Sequence, residues 1–311
     1  MAECPPVLLL VCDRPDLTRR VIERIREARP RQLYVAADGP RDGPGAERLG
    51  EEALAAAQSV DWDCDVRTLR SDRNLGCKRA VSAAVTWFFE SVEAGIVLED
   101  DCVPDPAFFR FCGELLDRYA DDERVMGIGG NNFDAARWTA PESYTFSVYN
   151  QTWGWATWRR AWRHYDGDLR LWPRLRRTDW LERFAGNRAT ARFWRAVFDR
   201  DARGEIDTWD FAWTFACWTQ HGLTVHPAVN LVSNVGFDER AAHTRNAASP
   251  LAAVPARAIE FPLVHPCGVR RDYDADTFTA EHVHRVRLRT SRARRLRQRL
   301  AESYRARRAA S

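Results

Sequence analysis

Short apolar runs alternate with helical repeats through the first hundred residues. Val7 to Cys12 is an unbroken apolar run, as a buried strand requires, and Leu17, Val21, Ile22, Ile25 and Ala28 then share one face of a helix that opens at Pro15 and Asp16. Leu33 to Ala37 predicts a second strand, closed by the turn signal Asp38-Gly39-Pro40. A helix over 46–58, a strand over Cys64 to Leu69 and a polar loop from Ser71 to Gly76 follow. Val81, Ala84, Val85, Phe88, Phe89 and Val92 recur at helical spacing ahead of a fourth strand, Gly95 to Leu98. This alternation predicts an α/β fold with a mostly parallel sheet and flanking helices, in which ligands bind beyond the carboxyl ends of the strands.

From about residue 125 the pattern is less regular. Eleven of the 13 tryptophans lie between Trp138 and Trp218, and helices are expected over 188–202 and 209–221. No repeat or low-complexity linker separates the halves, so residues 1–250 read as one domain with halves of about 5–102 and 103–250. Pro250, Pro255, Pro262 and Pro266 mark an extended connection over 251–280, and a basic amphipathic helix is expected over 281–311.

Composition narrows the class. With 311 residues, 29% charged and 45% hydrophobic, the chain has globular usage, and no apolar run approaches the roughly 20 residues of a membrane span. Val7 to Val11 is too short for a signal-peptide core and follows Glu3 and Cys4, not a basic segment, so a cytoplasmic protein is expected. Eight cysteines without a C-x-x-C pair read as reduced thiols, which argues against structural zinc. Lys78 is the one lysine among 47 basic residues. The net charge of +3 is unevenly placed, because residues 281–311 carry eleven arginines against Glu281 and Glu302. With Val286, Ala293, Leu296, Leu300 and Tyr304 as an apolar stripe, this tail suits peripheral contact with anionic lipid at the inner face of a membrane, an acidic partner, or a solvated terminal helix. It lacks the interleaved aromatic residues of a nucleic-acid platform.

The polar residues behind each strand carry the chemistry. They are Asp13 and Arg14, then Asp38, then Arg73 and Asn74, and finally Glu99, Asp100 and Asp101. Neither G-x-G-x-x-G after the first strand nor a P-loop is present. Three successive acids repel one another and are best tolerated beside a cation, for which hard oxygen ligands suit Mg²⁺ or Mn²⁺ shared with substrate phosphates; a solvated acidic turn is the plainer alternative. Arg73, Asn74 and Lys78, around a helix start, can meet a diphosphate.

Two segments, Pro6-Val7-Leu8-Leu9-Leu10-Val11-Cys12-Asp13-Arg14 and Val97-Leu98-Glu99-Asp100-Asp101-Cys102-Val103-Pro104-Asp105-Pro106-Ala107-Phe108-Phe109, resemble the GT-A fold glycosyltransferases. The likeness is to the N-acetylglucosaminyltransferase I type and to bacterial family-2-like nucleotide-diphospho-sugar transferases, over about residues 5–245. It implies a nucleotide-binding front half and an acceptor-binding second half. By the same resemblance Asp101 ligates Mn²⁺ within a D-x-D-type motif, Glu99 and Asp100 face the ribose and sugar, Asp38 reads the base, and Asp13 and Arg14 lie by the nucleotide. Asp210, in Asp207-Thr208-Trp209-Asp210-Phe211, matches the W-D segment that carries the base, with Asp207 as fallback; the same spacing also fits a capped helix start. His243 matches a late-chain histidine that reaches the metal or diphosphate, and Trp153 and Trp209 are candidates for stacking on the acceptor.

The function implied is a metal-dependent, inverting glycosyltransferase, a hexosyltransferase moving sugar from a nucleotide-diphospho-sugar, a UDP-sugar in first choice, to a hydroxyl acceptor in glycan or surface-polysaccharide biosynthesis. The acceptor, whether glycan, lipid-linked or small, is left open. A sugar-nucleotide pyrophosphorylase lacks its Gly-rich loop here, since Cys12-Asp13-Arg14-Pro15 follows the first strand. A non-catalytic, Trp-rich carbohydrate-binding protein fits the alternating front half poorly.

Overall fold

The computed structural model describes residues 3–241, 246 and 248–288. The front half runs β1 (Val7–Val11), α1 (Pro15–Ala28), β2 (Gln32–Ala37), α2 (Ala46–Ala57), β3 (Asp65–Arg70), α3 (Cys77–Ser91) and β4 (Ala94–Glu99), its strands within a residue of their expected limits. All five residues of β1 are buried, which is why its sequence is a run and not an alternation. Pro15 fits the first turn of α1, and the helix stops where Arg29 turns left-handed (φ 48°) and donates its N–H to the Ile25 carbonyl.

Beyond the acids come β5 (Cys102–Pro104), α4 (Ala107–Arg118), β6 (Val125–Gly129), β7 (Tyr144–Ser147) and β8 (Trp155–Trp158). A helical stretch follows: α5 (Arg159–Trp162), α6 (Trp172–Leu175), α7 (Trp180–Ala185), α8 (Arg188–Ala202) and α9 (Asp210–Thr219). The chain ends its described part with β9 (Leu223–Pro227), β10 (Val232–Asn234) and α10 (Tyr273–Phe278).

Eight strands form one sheet in the order β3-β2-β1-β4-β8-β6-β9-β7. Neighbours are parallel except that β8 opposes β4 and β6, and β7 opposes β9. The expected mostly parallel α/β sheet is therefore present. From β1 the chain steps outward through β2 to β3 and returns on the other side of β1 as β4, so the order reverses between β1 and β4, where a crevice opens. A two-stranded ribbon pairs β10 with β5, setting Asn234 opposite Cys102, and so brings late-chain residues onto the acidic run.

The second half owes its order to aromatic packing. Trp155, Trp158, Trp162, Trp172, Trp194, Trp209, Trp213 and Trp218 are each 4% exposed or less, so most of the indoles concentrated there are core.

Two expectations about the C-terminal region change. Residues 251–280 are not simply an extended connection, since α10 lies within them and straps onto β7. Asp272 donates its N–H to the Phe146 carbonyl at 2.7 Å, and the Asp276 carboxylate accepts from Ser147 Oγ and Val148 N. The helix expected from 281 is not continued either: a π-helical turn covers Thr279–Val283 and residues 284–288 are non-helical. Val286, expected in the apolar stripe of the tail helix, is 7% exposed and belongs to the core. His284 sits among the rings of Tyr149, Phe193 and Trp194, and its burial holds its pKa down to about 4. Local apolar burial wins over continuation of the helix. The remainder of the expected tail helix, from residue 289, lies outside the described residues. Among the described residues no helix is long and apolar enough to cross a membrane.

Candidate active site

A cleft of about 600 Å³ opens beyond the carboxyl ends of β1, β2 and β4. It gathers Arg14, Asp38, Asn74, Glu99, Asp100, Asp101, Trp153, Trp209 and Asp210 of the residues singled out from sequence. Asp13, Arg73 and Lys78 do not line it, and His243 lies outside the described residues.

The floor is built from the acidic run. Glu99 ends β4 and lines the cleft, and among the described residues its carboxylate has no hydrogen-bond partner. Asp100 and Asp101 are buried and share one guanidinium: Arg14 Nη2 contacts Asp100 Oδ1 and, at 2.9 Å, Asp101 Oδ2. Asp100 Oδ2 also accepts from the Cys12 N–H at 3.3 Å, and Asn234 Nδ2 donates to Asp101 Oδ1 at 3.3 Å. The Val235 N–H closes on the Asp101 carbonyl at 2.9 Å, so the segment after β10 lies against this floor. Only glycine fits at 236, because a methyl there would sit 2.1 Å from Asp101 Oδ2 and 2.6 Å from Arg14 Nη1. Gly236→Ala is expected to cost about 1–3 kcal/mol of stability by overpacking and to weaken nucleotide binding, checked by denaturant unfolding alongside calorimetry.

The side walls show which expected ligands are occupied with structure. Asp38 Oδ1 accepts from Gly39 N and from Leu75 N, both at 2.9 Å, while Asn74 Nδ2 donates to the Gly39 carbonyl at 3.0 Å. These bonds tie the turn after β2 to the loop after β3. Arg73 is exposed, and it is its backbone that meets this turn: a methyl at Gly39 would lie 2.2 Å from the Arg73 carbonyl carbon. Lys78 points away from the cleft to Asp201, Nζ to Oδ1 at 2.5 Å, where the carboxylate side chain is fully buried. Asp13 is held by Arg41 at 3.5 Å.

Asp207 and Asp210 differ in what their carboxylates hold. Asp207 accepts the N–H groups of Cys77 (3.2 Å) and Lys78 (3.0 Å), capping α3 from across the molecule. Asp210 begins α9, where a helix N-terminus favours negative charge, and accepts from Thr208 Oγ1 at 2.5 Å. Trp153 is half-buried at the cleft, edge-on to Phe133 and Phe237. Trp209 is only 2% exposed and stacks on Trp155 with centroids 5.1 Å apart; it buttresses the cleft wall and presents no open face to an acceptor.

Sequence reasoning missed four cleft features. Arg41 follows the turn after β2 and satisfies the same behind-the-strand criterion that found Asp38. Asn234 and Gly236 stand in the segment Ser233 to Phe237, which carries no charged residue to mark it. Arg200, near the end of α8, carries no sequence signal for the cleft.

No family model matches the chain, and no curated protein matches it. Among solved structures, a mannosyltransferase from Pyrobaculum calidifontis in complex with GDP-Man and Mn²⁺ overlaps 55% of this chain and 46% of its own, at 14% identity and a TM-score of 0.34. Glucosyl-3-phosphoglycerate synthase from Mycobacterium tuberculosis, in complex with Mn²⁺, UDP and glucosyl-3-phosphoglycerate, overlaps 50% and 57% at 12% identity and a TM-score of 0.31. The inositol-1-phosphate CTP transferase of T. maritima overlaps 52% and 74% at 10% identity and 0.31. The chain thus spans about half the length of that mannosyltransferase.

The charge of the cleft bears on a metal. Its lining holds three arginines (Arg14, Arg41, Arg200) against six acids (Asp38, Glu99, Asp100, Asp101, Asp207, Asp210). An anionic diphosphate entering alone would meet this excess of negative charge. Among the described residues no three His, Cys, Asp or Glu side chains form a preformed metal cage. The donor set nonetheless fits a hard divalent ion of the magnesium or manganese kind, which needs one or two protein carboxylates and takes its other ligands from water and phosphate. Asp101 and Asp100, with Glu99 beside them, are the residues that would hold it.

Burial, with the charges of Asp101 and Asp100 added, raises the Glu99 pKa from 4.5 to about 8. Burial likewise raises Asp100, against the pull of Arg14, to about 6. Both groups bind protons more tightly folded than unfolded, so their stabilising contribution is full below the ordinary carboxylate range and is lost as pH rises through these values. Metal-free protein is therefore expected to lose stability between about pH 4.5 and about pH 8 at this site. Denaturant unfolding across that range checks it: Glu99→Gln should flatten the slope, and an unchanged slope contradicts the assignment.

Proposed function

We propose that the protein is a metal-dependent glycosyltransferase of the GT-A kind that transfers a sugar, a hexose, from a nucleotide-diphospho-sugar to a hydroxyl acceptor with inversion. The observation that carries this reading is that Glu99, Asp100 and Asp101, at the switch point of a mostly parallel sheet, line one cleft together with Asp210. The resemblance of the two segments around Arg14 and Asp101 supports the same reading. A UDP-sugar is the first choice of donor, and glycan or surface-polysaccharide assembly the setting.

A divalent ion, Mn²⁺ or Mg²⁺, supplies Lewis acidity to the leaving diphosphate when bound. Asp101 and Asp100 would hold it. Glu99 lines the cleft as an acceptor for sugar hydroxyls. Asp38 fixes the turn that borders the base end of the cleft, and Arg14 supplies a guanidinium suited to phosphate. Asp210 takes the proton of the acceptor hydroxyl as it attacks the anomeric carbon, with the nucleoside diphosphate leaving from the opposite face. Trp153 offers an aromatic edge and face for an apolar sugar surface.

Incubation with UDP-, GDP- and dTDP-sugars separates this from its rivals. Acceptor-stimulated release of nucleoside diphosphate is expected; release of pyrophosphate on supplying sugar phosphate and nucleoside triphosphate would mark a pyrophosphorylase. Product with the donor's anomeric configuration would remove Asp210 from the role of base.

A further inference from the structure

The two aspartates of the acidic run already hold a cation that belongs to the chain. A single nitrogen, Arg14 Nη2, touches Asp100 Oδ1 and Asp101 Oδ2, and the three side chains are 10% exposed or less. The other carboxylate oxygens are engaged by the Cys12 amide and by Asn234. Gly236 closes over the pair, leaving no room for a methyl beside Arg14 Nη1 or Asp101 Oδ2. A divalent ion approaching these oxygens meets a buried positive charge in the place that it would take. Two cations cannot share the same two oxygens at contact without strong repulsion.

We propose that Arg14 guards the metal position of the acidic run, and that the diphosphate of an incoming nucleotide draws the guanidinium off Asp101 and so opens that carboxylate to the ion. The inference rests on the donor reading above. Arginine is suited to the exchange: its planar fork pairs with phosphate as well as with carboxylate, so the hydrogen bonds lost at Asp101 are regained on the nucleotide. The order that follows is nucleotide before metal. A cleft that took the ion first would leave the buried Arg14 guanidinium with Asp100 alone and no phosphate to replace its bond to Asp101, which is costly.

Binding of Mn²⁺ to nucleotide-free protein, followed by electron paramagnetic resonance, reads the guard directly. Arg14→Gln is expected to bind Mn²⁺ at least about tenfold more tightly than the wild type, within the range usual for coupled sites. Arg41→Gln removes the same charge from the cleft lining without touching Asp100 or Asp101, and is expected to change Mn²⁺ affinity far less. An Arg14→Gln protein no tighter than wild type, or an Arg41→Gln protein tightened equally, overturns the guard. Should Arg14→Gln not fold, crystals of the wild type with Mn²⁺ and UDP, GDP or dTDP serve: Arg14 found on the diphosphate supports the proposal, and Arg14 still on Asp101 with Mn²⁺ bound overturns it. Wild type that binds none of the three nucleotides with Mn²⁺ present defeats the donor reading and the guard together. Normal nucleotide binding with an unguarded metal site defeats the guard alone.

Discussion

Asp210→Asn is expected to lower transfer turnover by about two to four orders of magnitude, the usual contribution of a positioned general base, while donor affinity stays that of the wild type. The expectation follows from where the two candidate acids lie. Asp210 stands at the first position of α9, lines the cleft, and has one oxygen oriented by Thr208 Oγ1. Asp207 spends its carboxylate on the N–H groups of Cys77 and Lys78. Asp207→Asn should therefore register in unfolding experiments, since only one of its two cap bonds to α3 survives, and far less in turnover. Release of nucleoside diphosphate, measured under saturating donor, separates the two. Equal turnover loss in both variants would contradict the division of roles, and a raised donor KM in Asp210→Asn with unchanged kcat would place Asp210 in donor binding.

The second large effect is on stability. Lys78→Met is expected to destabilise the fold by about 3–5 kcal/mol, because removing one partner of a buried pair strands the other. Asp201 is that partner: its side chain is fully buried, Oδ1 meets Lys78 Nζ at 2.5 Å, and Oδ2 has no hydrogen-bond partner. Burial already raises the Asp201 pKa in spite of Lys78. Without the lysine it rises further, so the variant's deficit should shrink as pH falls and the carboxyl protonates, and grow as pH rises. Denaturant unfolding of wild type and variant at several pH values tests this. A variant of ordinary stability that instead loses nucleotide affinity would return Lys78 to the diphosphate.

These two cases also show what was legible in the sequence. The front half is legible nearly to the residue because β1, β2 and β4 are buried on both faces and its helices repeat apolar positions at 3.6-residue spacing, and both signals are local. The acids behind β4 and Arg14 behind β1 were found by one topological rule, and the cleft brings them together. The second half hid its strands, since β7 and β8 are four residues each and all of β8 is buried, which leaves neither alternation nor length to read. The tryptophan run of β8 is visible in the sequence, but that it forms a strand is not.

Partnerships between distant residues were not legible at all. Nothing near Lys78 announces Asp201, 123 positions on, nor does anything near Asp207 announce the start of α3. Sequence reasoning places both residues by type and local spacing, whereas their partners are fixed by where the end of α8 and the loop before α9 meet the start of α3. The same limit applies to the strap over 271–276, whose Asp276 is held by Ser147 of β7, and to the burial of Val286.

The central claim is that this cleft takes a nucleoside diphosphate together with a divalent ion on Asp101. Calorimetric titration of the protein with UDP, GDP and dTDP, each with Mn²⁺ and with chelator, tests it most directly. Binding of one diphosphate that is lost with chelator and in Asp101→Ala is the predicted result. Folded protein that binds none of them, or binds one equally well with chelator and in Asp101→Ala, would contradict it.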